Sequence, residues 1–220
     1  MGDKQVLTDE QTERDLKEEA NKRYLALGEV LLDLAEFYAR RSRLDEARQI
    51  GALSVACTLD LTARAWGFLA LGLRMEEAER FDLAAEFYAK GLEIEPTEEE
   101  LWYWLKNDLG YALNQLGRFT EAERACQAAI RSDSRPHNAY KNLGVALEGQ
   151  GRYGEAANAY IAAVQAGPGD PRAFNLLVDL VAAHREAVAA AIPDYFMTCH
   201  GLLSLVQAAG GFDPGAESAD

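Results

Sequence analysis

The chain has 220 residues, of which 49% are hydrophobic and 26% are charged, and this apolar content is enough to bury a sizeable core. Its formal net charge of −14 argues against nucleic-acid binding, because such a protein needs a basic surface to displace counterions from phosphates. The charged N-terminal segment and the lack of a long apolar window argue against a secretory signal and a membrane span, so we expect a cytoplasmic protein.

Helix formers dominate the sequence from end to end, so every predicted element is a helix. Residues 1–27 predict a polar N-terminal capping helix that Thr8 and Gln11 open with a capping box. A degenerate helix pair follows over residues 28–61, where Leu34, Ala35 and Tyr38 precede a second segment that contains Ala47.

The middle of the chain repeats itself. Three segments align without gaps: RFDLAAEFYAKGLEIEP at 80–96, RFTEAERACQAAIRSDS at 118–134 and RYGEAANAYIAAVQAGP at 152–168. Upstream of each lies a Leu-Gly pair, at residues 71–72, 109–110 and 143–144. The repeating unit is therefore a helix, a short turn and a second helix.

Residues 137–168 resemble a tetratricopeptide repeat. The family's signature positions are occupied in order by Tyr140, Leu143, Gly144, Leu147, Ala156, Tyr160, Ala163 and Pro168. The resemblance implies an all-α fold, a right-handed solenoid of antiparallel helix pairs in which each pair needs its neighbours to bury its apolar face. It implies repeats at 65–98, at 99–136 with a lengthened first helix, and at 137–170, with the degenerate unit at 28–61.

The C-terminal part predicts capping helices over residues 171–210. Asp170 and Pro171 are suited to begin the first of them. An apolar stripe at Phe174, Leu177 and Leu180 follows, and the last helix is expected to stop at Gly210. Residues 211–220 read as a disordered tail.

Chemistry-bearing patterns are few. The stretch GQGRYG at 149–154 matches a phosphate-binding glycine pattern in letters, but a helix rather than a strand precedes it, so we read it as an inter-helix turn. His137, His184 and His200 have no partner at catalytic or ligand spacing, and the three cysteines are far apart and without a CxxC pattern. We therefore expect no enzyme activity, no metal and no cofactor.

The resemblance also implies where a partner would bind, because in this family the first helix of each pair lines a concave groove. On this chain the groove positions are Trp66, Leu69, Leu73, Trp104, Asn107, Tyr111, Asn114, Asn138, Lys141, Arg172 and Asn175. Lys141 falls on a position that the family's carboxylate clamp uses, but Val145 and Leu176 replace the clamp's asparagines, so that ligand is not expected.

Three adjacent aromatic residues lie near the start of the lengthened first helix of the repeat predicted at 99–136. A helical wheel places Trp102 on the buried stripe with Leu105 and Leu109, and it places Trp104 on the groove side. We therefore expect Trp102 to pack in the core, Tyr103 to lie on the flank and Trp104 to face a partner.

Two hypotheses for function follow. The first is a non-catalytic interaction module, an adaptor or scaffold that binds a peptide or helix of another protein in the groove, with no nucleic-acid or membrane partner. The alternative is a structural scaffold that self-associates, for example as a homodimer, with the groove covered by the C-terminal helix or by a second copy.

Overall fold

The computed structural model describes residues 9–56, 60–132 and 136–210. Over those ranges it contains eleven α-helices and no strand, which confirms the predicted all-α fold class. The chain forms two compact units, Met1–Ile94 and Glu95–Asp220, and each is described by itself. The predicted capping residue Thr8, the thiol of Cys57 and the tail 211–220 lie outside the described residues.

The first unit consists of two helix pairs. Its helices are α1 (Asp9–Arg40), α2 (Leu44–Ala56), α3 (Leu61–Glu77) and α4 (Phe81–Glu93). α1 packs against α2, and α3 packs against α4, through short turns in which Ser42 and Glu79 adopt positive φ angles of 57° and 56°. The Asp60 side chain caps α3 by accepting a hydrogen bond from the Ala63 amide at 2.9 Å.

Helix α1 is much longer than its partner. It has 32 residues, whereas α2 has 13, and it continues without a break through Gly28, which lies beside the Ser54 carbonyl near the end of α2. The N-terminal half of α1 therefore extends past α2, and Leu16, Tyr24 and Leu25 on it are more than half exposed.

The second unit consists of seven helices. They are α5 (Glu99–Gln115), α6 (Phe119–Ile130), α7 (His137–Gly149), α8 (Tyr153–Ala166), α9 (Arg172–Ala183), α10 (Arg185–Ala191) and α11 (Tyr195–Ala208). α5 pairs with α6 and α7 pairs with α8, while α9, α10 and α11 all pack on α8. The apolar stripe of Phe174, Leu177 and Leu180 is buried in the core that these helices share.

The same close approach recurs in both units. A Cβ atom added to Gly72 would lie 2.2 Å from the ring of Tyr88, and one added to Gly144 would lie 2.3 Å from the ring of Tyr160. Both tyrosine rings are fully buried. Each hydroxyl donates a hydrogen bond of 2.8 Å to a glutamate on the first helix of its pair, Glu76 or Glu148. Glycine in the first helix thus makes room for tyrosine in the second.

The aromatic triplet at the start of α5 is arranged differently from the prediction. Tyr103 is the buried ring, at 4% exposure, and it packs with Ala129 and Ala139. Trp102 is only partly buried and lies under the Lys106 ammonium, 4.9 Å from its ring centre. The prediction that Trp102 packs in the core and Tyr103 lies on the flank is therefore wrong.

Candidate functional site

The first helices of two successive pairs, together with the helix that follows them, line one pocket in the second unit. It has a volume of about 420 Å³ and lies along α5, α7 and α9. Its lining residues are Tyr111, Asn114, Gln115, Lys141, Asn142, Val145, Arg172, Asn175, Leu176 and Asp179. We call this pocket the amide groove. It brings together Tyr111, Asn114, Lys141, Arg172 and Asn175, which the sequence placed on one groove, whereas Trp104, Asn107 and Asn138 are not part of its lining.

Three buried asparagines join α5 to α7 beneath the groove. Asn142 donates from Nδ2 to the Oδ1 atom of Asn107 at 3.1 Å, and Asn114 donates from Nδ2 to the Asn142 backbone carbonyl at 2.8 Å. All three are less than a tenth exposed. Asn107 was predicted to face a partner, but its side chain is committed to contacts within the protein, with Asn142 and with Asp108. The family's groove positions include this residue, and its polarity alone does not distinguish a solvated amide from a buried pair.

Within the part of the chain that the structure describes, the side chain of Asn114 forms a hydrogen bond through its nitrogen but not through its oxygen. Its amide nitrogen has a partner, but its carboxamide oxygen Oδ1 is buried and, among the described residues, has no hydrogen-bond partner. The residue is 7% exposed and belongs to the lining of the amide groove. A buried acceptor without a donor costs free energy of about 1–3 kcal/mol, so this atom favours a ligand that brings an N–H or O–H group.

Two partly buried side chains of opposite charge, Asp108 and Lys141, lie along the same helices. Burial raises the pKa of the Asp108 carboxyl to about 6, against the opposing effects of its hydrogen bond from Asn107 and of the nearby Lys141 ammonium. Burial also lowers the pKa of Lys141, and the nearby Arg172 guanidinium adds to this shift, while Asp170 and Asp108 oppose it. Lys141 is thus a partly desolvated cation in the groove wall, which strengthens its interaction with any acceptor that replaces the lost water.

Arg172 at the start of α9 is held in place by its neighbours. Its guanidinium donates to the Asp170 carboxylate at 2.6 Å and to the Asn138 side-chain oxygen at 3.3 Å. The pair with Asp170 is surface-exposed on the arginine side, and Asn138 serves here as a support for Arg172. Arg172 therefore contributes a positioned positive charge to the groove rim.

Trp104 is partly buried, and its ring meets the Tyr103 ring edge to face at 5.0 Å. It packs against the small cluster of Tyr103, Ala129 and Ala139. Its role in partner binding stays a prediction.

The remaining predicted groove residues lie in the first unit on α3. Leu69 is buried at 6% exposure, whereas Trp66 is 38% exposed and Leu73 is 43% exposed. Trp66 lines a larger pocket, of about 800 Å³, between α1, the end of α2 and α3. Leu69 packs in the core instead and is not available to a partner.

The glycine stretch at 149–154 joins two helices. Gly149 ends α7, Gly151 adopts a φ of 76° in the turn, and Arg152 precedes α8, which confirms the interpretation as an inter-helix turn. The described residues contain no cluster of His, Cys, Asp and Glu suited to a metal ion. Cys126 is a buried thiol whose pKa burial raises to about 12, and the His184 ring stacks on Tyr153 at 3.5 Å.

The comparisons with known proteins agree with this geometry. The family model described as "Tetratricopeptide repeat" matches residues 107–171 and 142–196. Together the two matches cover residues 107–196, and over that span the chain is similar to tetratricopeptide repeats. A search of curated proteins finds no match. No helix among the described residues is both long and apolar enough to cross a membrane.

Solved structures share the tetratricopeptide-like fold. BtubC (BKLC) from P. vanneervenii aligns with a TM-score of 0.60 at 21% identity, over 94% of this chain and 90% of that chain. MamA 41-end from Desulfovibrio magneticus RS-1 aligns with a TM-score of 0.56 at 15% identity, over 82% of this chain and 96% of that chain. MamA from MSR-1 aligns with a TM-score of 0.52 at 19% identity, over 80% of this chain and 97% of that chain. At these identities the likeness is one of fold, and it supports the tetratricopeptide-like helical architecture.

Proposed function

We propose that this protein is a non-catalytic interaction module that binds an extended peptide segment of a partner protein in the amide groove. The observation that carries the proposal is the buried, unpartnered Oδ1 atom of Asn114 in the groove lining. A peptide main chain supplies a hydrogen-bond donor at every residue except proline, so it can offer this buried acceptor the partner that the protein itself does not, once the Asn114 side chain turns toward the groove.

The other groove residues suit the same ligand. Lys141 is a partly desolvated donor that fits a peptide carbonyl or an acidic side chain. Asn175 and Gln115 are exposed carboxamides that can donate and accept at once, as a main chain requires. Tyr111 provides a rigid ring with a polar end, a residue type enriched at binding hot spots. Together α5, α7 and α9 supply both donors and acceptors to the groove.

The alternative of self-association keeps one supporting observation. Phe196 and Met197 on α11 are 74% and 66% exposed, so the terminal helix presents apolar surface to solvent. The apolar stripe of Phe174, Leu177 and Leu180 is buried inside the unit, so it does not offer a surface for self-association. No residue of α10 or α11 lines the amide groove, so the geometry of the second unit favours a groove that is open to a partner.

A peptide array with backbone methylation tests the proposal. The full chain is screened against short peptides, and each hit is resynthesised with one main-chain nitrogen methylated at a time. We expect one position at which methylation reduces affinity by about tenfold or more, because the donor to Asn114 is lost. Lys141→Ala and Asn175→Ala should also weaken binding, whereas Asn158→Ala on the exposed face of α8 should not. Affinity that is indifferent to methylation and to both groove variants would contradict the proposal.

A further inference from the structure

The pocket in the first unit has a different chemistry from the amide groove. One face of α1 and one face of α3 form its walls, and the end of α2 forms its floor. Tyr24 and Leu25 stand on the α1 wall and Trp66 stands on the α3 wall, all open to solvent at 55%, 68% and 38% exposure. We call this pocket the apolar trough. Large exposed apolar side chains gathered around one concavity are typical of an interaction surface.

We infer that the apolar trough is a docking site for a basic amphipathic helix of another protein. The inference is independent of the proposed function, because it concerns the first unit and no residue of the amide groove.

The lining of the trough favours a helix over an extended chain. An extended peptide leaves its main-chain N–H and C=O groups to be satisfied by the site, and an unpaired buried group is costly. Two of the polar side chains in the lining are already engaged, since the Ser54 hydroxyl donates to the Gly51 carbonyl and the Asp60 carboxylate accepts from the Ala63 amide. Asn21 and Glu29 are the other carboxamide and carboxylate of the lining, too few to pair the main chain of an extended peptide. A helix satisfies its own main chain, so it requires from the trough only apolar contact.

The dimensions and small residues of the trough also fit a helix. The α1 wall runs from Asn21 to Leu32, a length of about 16 Å, which matches about three helical turns. On α3 the lining residues Ala63 and Ala70 are short and exposed, so a docked helix can approach α3 closely there. Tyr24 and Trp66 are the rings that would pack against its side chains.

The charge of the trough selects a basic partner. Glu29 on α1 and Asp60 before α3 are its charged lining residues, both acidic and both exposed. The nearby Lys22 and Arg23 on α1 are each paired with a glutamate one turn earlier, so they do not offset this charge. The chain as a whole also carries a negative net charge, −14. A helix with lysines flanking its apolar stripe therefore complements the rim and gains in association rate.

The test uses a designed probe and the full-length chain. The probe is a labelled helical peptide of about 12 residues with Leu and Trp on one face and Lys on the other. Two matched peptides accompany it: one with Glu in place of every Lys, and one with the same composition in scrambled order. Fluorescence anisotropy then measures each affinity at about 50 mM and about 300 mM salt, conditions between which exposed charges become strongly screened.

The expected result is binding of the lysine helix that weakens as salt rises, with the glutamate and scrambled peptides bound at least about tenfold more weakly. Trp66→Ala should reduce affinity by about tenfold or more, as loss of an aromatic anchor does. Ala63→Trp should do the same by filling the trough from an exposed position that leaves the core intact.

Matched controls separate the trough from the rest of the protein. Val30→Ala removes an equally exposed apolar side chain of α1 that does not line the trough, and Lys141→Ala alters only the amide groove, so neither should change probe affinity more than about twofold. Failure of the lysine helix to bind, equal binding of the scrambled peptide, or indifference to both trough variants would each overturn the inference. A glutamate peptide that binds as well as the lysine peptide would overturn the choice of a basic partner. Each result leaves the proposal for the amide groove unaffected.

Discussion

The Asn142 carboxamide on α7 donates to the Oδ1 atom of Asn107 on α5 at 3.1 Å, and both side chains are 96% buried. This bond joins α5 and α7, which are the first helices of two successive pairs in the second unit. Because the two residues lie 35 positions apart, the bond fixes how one pair sits on the next as well as contributing to stability.

Asn142→Ala should destabilise the second unit by about 1–3 kcal/mol, since it leaves the buried Asn107 oxygen without its donor. The backbone carbonyl of Asn142 still accepts from Asn114 in this variant, so that bond is retained. Urea denaturation followed by circular dichroism measures the change. The matched control is Asn158→Ala, which truncates an exposed asparagine on α8 and should change stability by no more than about 0.5 kcal/mol. Equal effects of the two variants would show that the buried bond contributes nothing.

Gly144→Ala should also destabilise the second unit, by about 1–3 kcal/mol, because the new methyl group meets the buried Tyr160 ring. The ring cannot move aside easily, since its hydroxyl is bonded to Glu148. Gly201→Ala on α11 is the control. Nothing lies within 4 Å of a Cβ atom there, so this change should stabilise the helix by about 0.5–1 kcal/mol. In thermal denaturation, the melting temperature of Gly144→Ala should fall below that of the wild-type chain and that of Gly201→Ala should rise above it.

The sequence predicted the fold because its signals are local or periodic. The Leu-Gly pair at residues 143–144, the aromatic Tyr160 and the turn at Gly151 recur at similar spacing, and each has a geometric cause that the structure shows: a close helix approach, the ring that fills it and a positive φ. Repeated local rules of this kind are readable from one chain. The division into repeats at 28–61, 65–98, 99–136 and 137–170 and the capping segments stay predictions.

The site was only partly predictable, because burial of polar groups depends on partners far along the chain. The family's positions place Asn107 in the groove, yet its bond with Asn142 on another helix holds it away from solvent. The grouping of Lys141 and Arg172 on one groove followed from the family's positions, and the pocket in the second unit brings them together. The apolar trough was missed apart from Trp66, since the length of α1 relative to α2 could not be read from the sequence.

Tyr103→Ala should cost about 3 kcal/mol of stability or more, whereas Trp102→Ala should cost about 1 kcal/mol or less. The reason is that Tyr103 is 4% exposed and packs in an apolar cluster, while Trp102 is only partly buried and lies under the Lys106 ammonium. Chemical denaturation of the two variants checks this order. The opposite order would restore the helical-wheel prediction that Trp102 is the packing ring.

Asp108→Asn should stabilise the protein at neutral pH. Burial raises the pKa of Asp108 to about 6 from its ordinary value of 3.8, so the folded state holds a proton that the unfolded chain releases between about pH 4 and pH 6. In that window the unfolded state binds fewer protons, and stability falls as pH rises. Above pH 6 the full cost of the buried carboxylate is present, about 1–3 kcal/mol at most.

Asparagine keeps the shape of the side chain and an oxygen that can accept the 2.8 Å hydrogen bond from Asn107, but it carries no charge to desolvate. The wild-type chain should therefore lose stability relative to Asp108→Asn as pH increases from 4 to 6, and the difference between them should be constant above about pH 7. The midpoints of urea denaturation of both proteins, determined at a series of pH values from 4 to above 7, measure this difference in stability. If instead the Lys141 ammonium stabilises the carboxylate more than burial disfavours it, Asp108→Asn will be the less stable protein at neutral pH, and the two curves will converge as pH falls.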